Sequence, residues 1–321
     1  MRLTVIVPPA VALPVAGYGG IEVAAQDFAT ELARTGNKVT VMANIADGRS
    51  QFGWDGRNIL TETDPLSTDK YDLLRDADAV IDFTHSKVPR MARMKKYRSV
   101  TMWTDGRSGH DIYPSQAVRE AFQDPKAPVI PLGVPVDGIG IPEPVPGRYL
   151  SLGRIAPYKG QADAVRMAKE AGVKLTVAGH TGQFADAYYS LCVRKMCRDA
   201  GFEFVADPPD LNAMLDGAAG LVHLHNWIES FSLVAAHALV RGIPILTTDI
   251  GAPQEWVRAC DGGMVVSLEE LQAGRPEASA IARGFFETNW APKREGIAKR
   301  ARELFDIRNV AAQHLKLLEE A

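Results

Sequence analysis

Cysteine, long apolar runs and an excess of either charge are all scarce in this chain of 321 residues. Its three cysteines, Cys192, Cys197 and Cys260, have no metal-ligand spacing. That excludes a disulfide scaffold and a zinc module, and it suits a reducing cytoplasm, the expected compartment. No stretch approaches the roughly 20 apolar residues of a membrane-spanning helix. The short run 3–7 stops at Pro8-Pro9, so it reads as a strand and not as a signal peptide. A formal net charge of −3 gives no global attraction to nucleic acid or to an anionic membrane. The dinucleotide fingerprint is also incomplete. Gly17 and Gly19 are followed by Glu22 where the third glycine belongs, and the loop before them is too long for that motif. No metal-holding Asp-x-Asp is well placed either. Asp76-Ala77-Asp78 precedes a strand, whereas such a pair should follow one to reach a ligand, so it reads as a helix-to-strand turn.

What remains is a globular composition, 46% apolar and 23% charged, long enough for two domains. Strands and helices alternate throughout, which predicts parallel α/β sheets. In the first half the pattern gives strands at 3–7, 38–43, 79–83, 99–103 and 129–131, and helices at 21–34, 66–75 and 113–122. Residues 134–147 carry four prolines and three glycines, the composition of an interdomain linker. The second half gives strands at 148–152, 174–178, 202–205, 221–224 and from 243, and helices at 159–171, 183–199, 208–217 and 231–240. Ser230 is the expected N-cap of the last of these, and Pro253 opens another helix. A one-faced helix at 305–320 closes the chain. The expected divisions are 1–140, 141–304 and 305–321.

In such sheets, ligands bind beyond the C-terminal ends of the strands. Several candidates fall there. Gly153-Arg154 ends a strand and Lys159-Gly160 begins a helix, so one short loop aims two cations at the crevice. They read either as surface charges or as a phosphate site. A lysine at a helix start is unfavourable unless an anion is near, which supports the second reading. Glu229 and Glu255 each stand near a helix start. Gly19 and Gly20 read as a surface loop or as glycines that let the backbone approach a ligand. Between Lys87 and Arg98 lie six basic residues and no acidic one: Lys87, Arg90, Arg93, Lys95, Lys96 and Arg98. That run is a solvated helix face or a docking patch for an anionic acceptor or membrane surface. Nothing else in the sequence supports a membrane or nucleic-acid contact.

The stretch 219–258 resembles the retaining glycosyltransferases of family four. Their pattern is a Glu, seven residues and a second Glu, with Phe-Gly-Leu starting the helix, then Gly-Ile/Val-Pro and a later Gly-x-x-x-Glu. The matching residues are Glu229, Phe231-Ser232-Leu233, Gly242-Ile243-Pro244, Gly251 and Glu255, with His237 in place of the second Glu. Gly17 to Glu22 and the Gly153-Arg154…Lys159-Gly160 pattern extend the likeness. The resemblance implies a GT-B α/β fold: two Rossmann-like parallel-sheet domains facing a central cleft, the first for the acceptor and the second for the donor. The terminal helix crosses back onto the first. It also implies hexosyl transfer from a nucleotide-diphosphate sugar to a hydroxyl, with retention and with neither cofactor nor metal. Glu229, Arg154 and Lys159 would carry the chemistry, Glu229 on the sugar hydroxyls and the two cations on the diphosphate. Gly19, Gly20, Gly153, Ser230, Phe231, Ser232, Leu233 and His237 would bind the donor, His237 at the ribose. On the acceptor side the family's histidine position falls on Trp103, with Asp105 behind it, and His110 or His85 could replace it. Two expectations follow for single residues: Lys159→Ala weakens donor binding with the fold intact, and His237 changes charge between pH 5.5 and 7.5. The departures at Trp103 and His237 keep a second class open, a nucleotide-sugar-binding module without transfer. A nucleotide-sugar epimerase shares the fold and is a third reading.

Overall fold

The computed structural model describes residues 1–15, 19–44, 51–54, 57–62, 74, 76–85, 89, 96–103, 105–182 and 185–320, with 51–54 and 57–62 described for the backbone alone. The chain divides into two compact units, one of Met1–Pro135 with Phe305–Ala321 and one of Val136–Leu304. The first therefore ends a few residues before the expected boundary of 140.

Among the described residues the first unit holds seven strands: β1 (Arg2–Ile6), β2 (Lys38–Met42), β3 (Gln51–Trp54), β4 (Arg57–Glu62), β5 (Ala79–Asp82), β6 (Tyr97–Val100) and β7 (Asp111–Ile112). Their order is β3-β4-β2-β1-β5-β6-β7. β1 lies parallel between β2 and β5, with Val5 level with Val41 and Ile81. All three side chains are buried. Both faces of a parallel sheet are covered, so its strands read as apolar runs. Among the described strands, β3 and β4 pair antiparallel. Helix α1 (Gly20–Arg34) buries Ala24, Ala25, Phe28, Ala29 and Leu32, a 3.6-residue stripe. Short α2 (Gln116–Ala121) is capped by Ser115, whose Oγ accepts from the Val118 N–H at 3.3 Å.

The second unit has six parallel strands: β8 (Tyr149–Leu152), β9 (Leu175–Gly179), β10 (Glu203–Ala206), β11 (Gly220–His223), β12 (Ile245–Thr248) and β13 (Gly263–Val266). Their order is β10-β9-β8-β11-β12-β13, so the winding reverses between β8 and β11. Between them run α3 (Gln161–Glu170), α4 (Ala187–Ala200), α5 (Leu233–Leu239) and α6 (Ala252–Cys260). Then follow α7 (Leu268–Gln272), α8 (Pro276–Glu287) and α9 (Arg294–Phe305). The last helix, α10 (Ile307–Glu319), belongs to the first unit. The chain re-enters that unit where the Val134 N–H donates to Phe305 O at 2.8 Å and the Ile307 N–H donates to Val134 O at 3.1 Å. There α10 lays His314 against Phe28 of α1, ring centroids 4.9 Å apart.

Several predicted elements differ. Residues 129–131 form only an isolated bridge, Val129 with Tyr113; Pro128 and Pro131 flank it and leave few N–H donors for a ladder. The helix expected over 208–217 is a single turn at Ala213–Leu215. Two prolines precede it, and Asp210 takes the N–H groups of Asn212 and Ala213 into a local turn. The predicted helix 305–320 is broken at Asp306, whose carboxylate bonds the Arg308 N–H and caps α10. Asp78 indeed stands in a turn before β5, tied to the backbone and guanidinium of Arg2 at the opposite sheet edge from a ligand crevice. The predicted helix at 66–75 and most of the basic run lie outside the described residues. Of that run, Arg98 is engaged: its guanidinium donates to Leu317 O at 3.0 Å, at the end of α10.

Candidate functional site

The winding reversal sets the chemistry at the C-terminal edge of the second sheet. Gly153, at φ +136°, follows β8, and the chain turns through Arg154 into a single 3-10 turn, Pro157–Lys159. Gly160 follows at φ +70°, and a Cβ there would stand 1.7 Å from Leu224 O. Glycine is thus required twice over, for the left-handed backbone and for the contact with the strand exit of β11. Gln161, buried at the start of α3, donates a hydrogen bond from its side-chain Nε2 to the Arg154 carbonyl at 2.8 Å.

From β11 the chain passes through His225, Asn226 and Trp227 to Glu229. Lys159 Nζ donates to Glu229 Oε2, and the two side chains are 13% and 11% exposed, so the pair is shielded from water. The Trp227 indole N–H donates to the same carboxylate oxygen at 3.1 Å. Lys159 Nζ also lies 5.3 Å from the Trp227 ring centroid and 5.8 Å from that of Tyr158, near enough for cation–π attraction. The Arg154 guanidinium sits 5.5 Å from the Tyr158 ring. Burial pushes the Glu229 carboxyl up, but the Lys159 ammonium, with His223 and His225, outweighs it and holds the group at about 2. Behind Glu229, Gly251 at φ +68° has no room for a side chain, since its Cβ would fall 2.5 Å from the Glu229 nitrogen.

The helix after Glu229 starts two residues later than expected. Ser232, not Ser230, is its N-cap, accepting from the Ala235 N–H at 3.3 Å. Ser232 stands where the family pattern has glycine, and its φ of +70° is the left-handed region glycine favours. Ser230 and Phe231 therefore lie in the extended turn ahead of the helix. Phe231 is buried against Trp256, whose indole N–H donates to its carbonyl at 2.9 Å. Leu233 opens α5. His237 lies in the last turn of α5, buried, with Nδ1 making no hydrogen bond. Burial, then the Arg241 charge, lowers its pKa to about 4. The expected change of charge between pH 5.5 and 7.5 is thereby corrected: His237 stays neutral through that window.

In the first unit, Gly19 precedes α1 and Gly20 begins it. Glu22, buried in the first turn, has its carboxyl raised by burial. His85, beyond β5, bonds through Nδ1 to Oδ1 of Asp105, whose Oδ2 accepts the Met102 N–H at 2.9 Å. Trp103 packs edge-on against Phe122, 6.1 Å between centroids. His110 precedes β7, so it sits at the opposite edge of the sheet, against Tyr97 and Arg98. The structure thus brings His85 together with Asp105 and leaves His110 apart from them. Among the described residues, no group of three or more His, Cys, Asp or Glu is arranged to hold a metal ion.

Sequence reasoning passed over Trp227, Tyr158, Gln161, and the buried pair His223 and His225, whose rings are 5.0 Å apart. His223 Nε2 reaches Ser232 Oγ at 3.3 Å. The signal was present: His223 is the single polar residue inside an otherwise apolar strand run, and such a residue needs a partner.

No curated protein matches this sequence. Solved structures match it over its whole length. AviGT4, a glycosyltransferase involved in avilamycin A biosynthesis, is 20% identical with a TM-score of 0.74, covering 100% of this chain and 97% of that one. Sucrose-phosphate synthase of Thermosynechococcus elongatus is 15% identical with a TM-score of 0.75, covering 100% and 98%. Anabaena HepE, solved in complex with UDP and glucose, is 15% identical with a TM-score of 0.73, covering 100% of both chains. Residues 144–277 match the family described as glycosyl transferases group 1. The chain thus has the GT-B fold, and within its second unit residues 144–277 are similar to the glycosyl transferases group 1 family.

Proposed function

We propose that this protein moves a sugar from a nucleotide-diphosphate donor to an acceptor hydroxyl, with retention at the anomeric carbon and without a divalent metal or other cofactor. The observation that carries the reading is the shielded Lys159–Glu229 pair at the winding reversal, beside Arg154. A carboxylate held ionised is a strong acceptor for sugar hydroxyls. Arg154 and Lys159 offer fixed positive charge where a departing diphosphate gains negative charge, the arrangement that stabilises such a transition state most. That role gives retention and metal independence their support, together with the family-four pattern around Glu229. Gly153, Ser230, Phe231, Ser232 and Leu233 line the turns that approach the donor, and His237 is assigned to the ribose. Gly19 and Gly20 are assigned to donor binding, and Trp103 and Asp105 to the acceptor. The acceptor is proposed to be anionic, on the strength of the basic residues from Lys87 to Lys96.

The test is a panel of nucleotide sugars, with uridine diphosphate sugars first because HepE has been solved with UDP-glucose. A true donor raises the melting temperature by mass action. Nucleotide release should then depend on added acceptor, persist in EDTA, and give a product with the donor's anomeric configuration by NMR. Release only with Mg²⁺ or Mn²⁺ overturns metal independence; an inverted product overturns retention. Binding with no release under any acceptor makes the protein a binding module.

A further inference from the structure

Lys159 faces two anions in turn. Its Nζ donates to Glu229 Oε2, and the donor reading needs the same ammonium at the diphosphate. One unit charge cannot neutralise a buried carboxylate and a diphosphate together. A nucleotide that draws Lys159 to its phosphates therefore strips Glu229 of its ion pair. A buried carboxylate in that state takes up a proton unless hydrogen bonds to its charged form remain. One such bond is present: the Trp227 indole N–H donates to Oε2 at 3.1 Å. An indole nitrogen is a donor only, and it carries no charge for a phosphate to attract.

The indole is mounted firmly. Its ring centroid stands 5.0 Å from that of Tyr158. The loop that carries it is tied on two sides: the Asn226 N–H donates to Tyr158 O at 2.9 Å, and His225 Nε2 meets Ile250 O at 2.8 Å. The backbone of Glu229 is fixed as well, its carbonyl accepting the Ala252 N–H at 2.8 Å. Both bonds to the carboxylate fall on Oε2, and among the described residues no donor meets Oε1. The other charged or titratable groups around the carboxylate come from three elements. His223 and His225 stand at the end of β11, both held below the ordinary histidine range by burial. Tyr158 lies across the loop, its hydroxyl pushed up by burial, with Arg154 over its ring. Glu255 occupies the first turn of α6. Neither imidazole nor the Tyr158 hydroxyl bonds the carboxylate, so among the described residues Trp227 is the donor that remains once Lys159 has left.

We infer that Trp227 is a positioning residue for Glu229: its indole N–H holds Oε2, and so presents Oε1 to the donor sugar, while Lys159 is engaged by the diphosphate. This rests on the nucleotide-sugar reading of the same site. Trp227→Phe keeps a ring against Tyr158 and Lys159 and removes the N–H. Calorimetry on the full chain at pH 5.5, in buffers of different ionisation enthalpy, counts the protons taken up on binding. The ligand is whichever of uridine, adenosine, guanosine and cytidine diphosphate binds the wild type most tightly. Its own titration is common to all variants and cancels in their difference. Trp227→Phe should take up about half a proton more per nucleotide than the wild type, the worth of one hydrogen bond to a charged group. The excess should fade by pH 7.5 and vanish when Glu229→Gln is added. A purely structural Trp227 would change affinity and leave the proton count alone. Equal uptake in wild type and Trp227→Phe, or an excess that survives Glu229→Gln, overturns the inference alone. If Trp227→Phe does not fold, NMR of the five indole N–H groups in the wild type decides. The signal that moves in Glu229→Gln should keep its low-field position and slow exchange when nucleotide binds; loss of both overturns the inference. No binding of any of the four nucleotides to the wild type removes the donor reading and this inference together.

Discussion

Replacing Lys159 by Met tests the central pair and separates two roles that the sequence alone merges. Held at about 2 against an ordinary 4.5, the Glu229 carboxyl contributes about 3 kcal/mol of stability at neutral pH. Because its folded pKa is depressed, that stability is fully present above about pH 4.5 and is lost as pH falls towards 2. In Lys159→Met the ammonium is gone and burial is opposed only by His223, His225 and the Trp227 N–H, so the folded pKa rises. The sign then reverses: the variant is most handicapped at neutral pH and recovers as the carboxyl takes up a proton. Breaking one side of a buried pair commonly costs about 3–5 kcal/mol, in line with the linkage figure. For a unit of this size each kcal/mol moves the melting temperature by about 2–4 °C, so the deficit should be about 6–12 °C at pH 7.5 and should shrink steadily towards pH 4. Glu229→Gln in the same background should restore most of it. The assay is calorimetric melting of both variants and the wild type across pH 4 to 8. A deficit independent of pH, or none, refutes the pair's energetic role. The expectation that Lys159→Ala weakens donor binding with the fold intact is then checked by measuring donor binding well below the variant's melting temperature.

Ser232→Gly should raise stability by about 1 kcal/mol, since relief of a left-handed serine, worth about 1–2 kcal/mol, exceeds the few tenths lost at the cap. Ser232→Ala keeps the strain, loses the cap and should destabilise by about 1 kcal/mol; melting temperatures decide both. Gly160→Ala should cost about 3 kcal/mol or more through left-handed strain and collision with Leu224 O, read as a collapse in melting temperature or soluble yield. His237 is buried neutral, with its folded pKa of about 4 below the ordinary 6.5. Stability should therefore fall by about 3 kcal/mol as pH drops from 6.5 to 4, and His237→Gln should remove that dependence. Donor affinity should show no step from this residue between pH 5.5 and 7.5; a step present in wild type and absent in His237→Gln would contradict the buried neutral ring.

The sequence by itself determined the architecture and the candidates. Strand and helix periods gave two α/β halves, because both are set by local spacing of apolar residues. Glycine and proline marked the turns, and Arg154, Lys159 and Glu229 could be named from their positions after strands. Local spacing could not give the partners. That Lys159 and Glu229, 70 residues apart, neutralise each other follows from β8 and β11 becoming neighbours, which is a choice of strand order. Strand order likewise sets His180 against Asp207, and His85 against Asp105 in the other unit, whereas His110 lies at the other sheet edge because it precedes its strand. The helix start at Ser232 and the loss of a helix over 208–217 were decided by side chain to backbone bonds, which compete with helix on equal terms. The charge state of His237 depended on burial, a property of the packed structure. The pattern of residues fixes what each segment is; only the packing decides which charges share a low-dielectric site, and therefore which of them are held ionised.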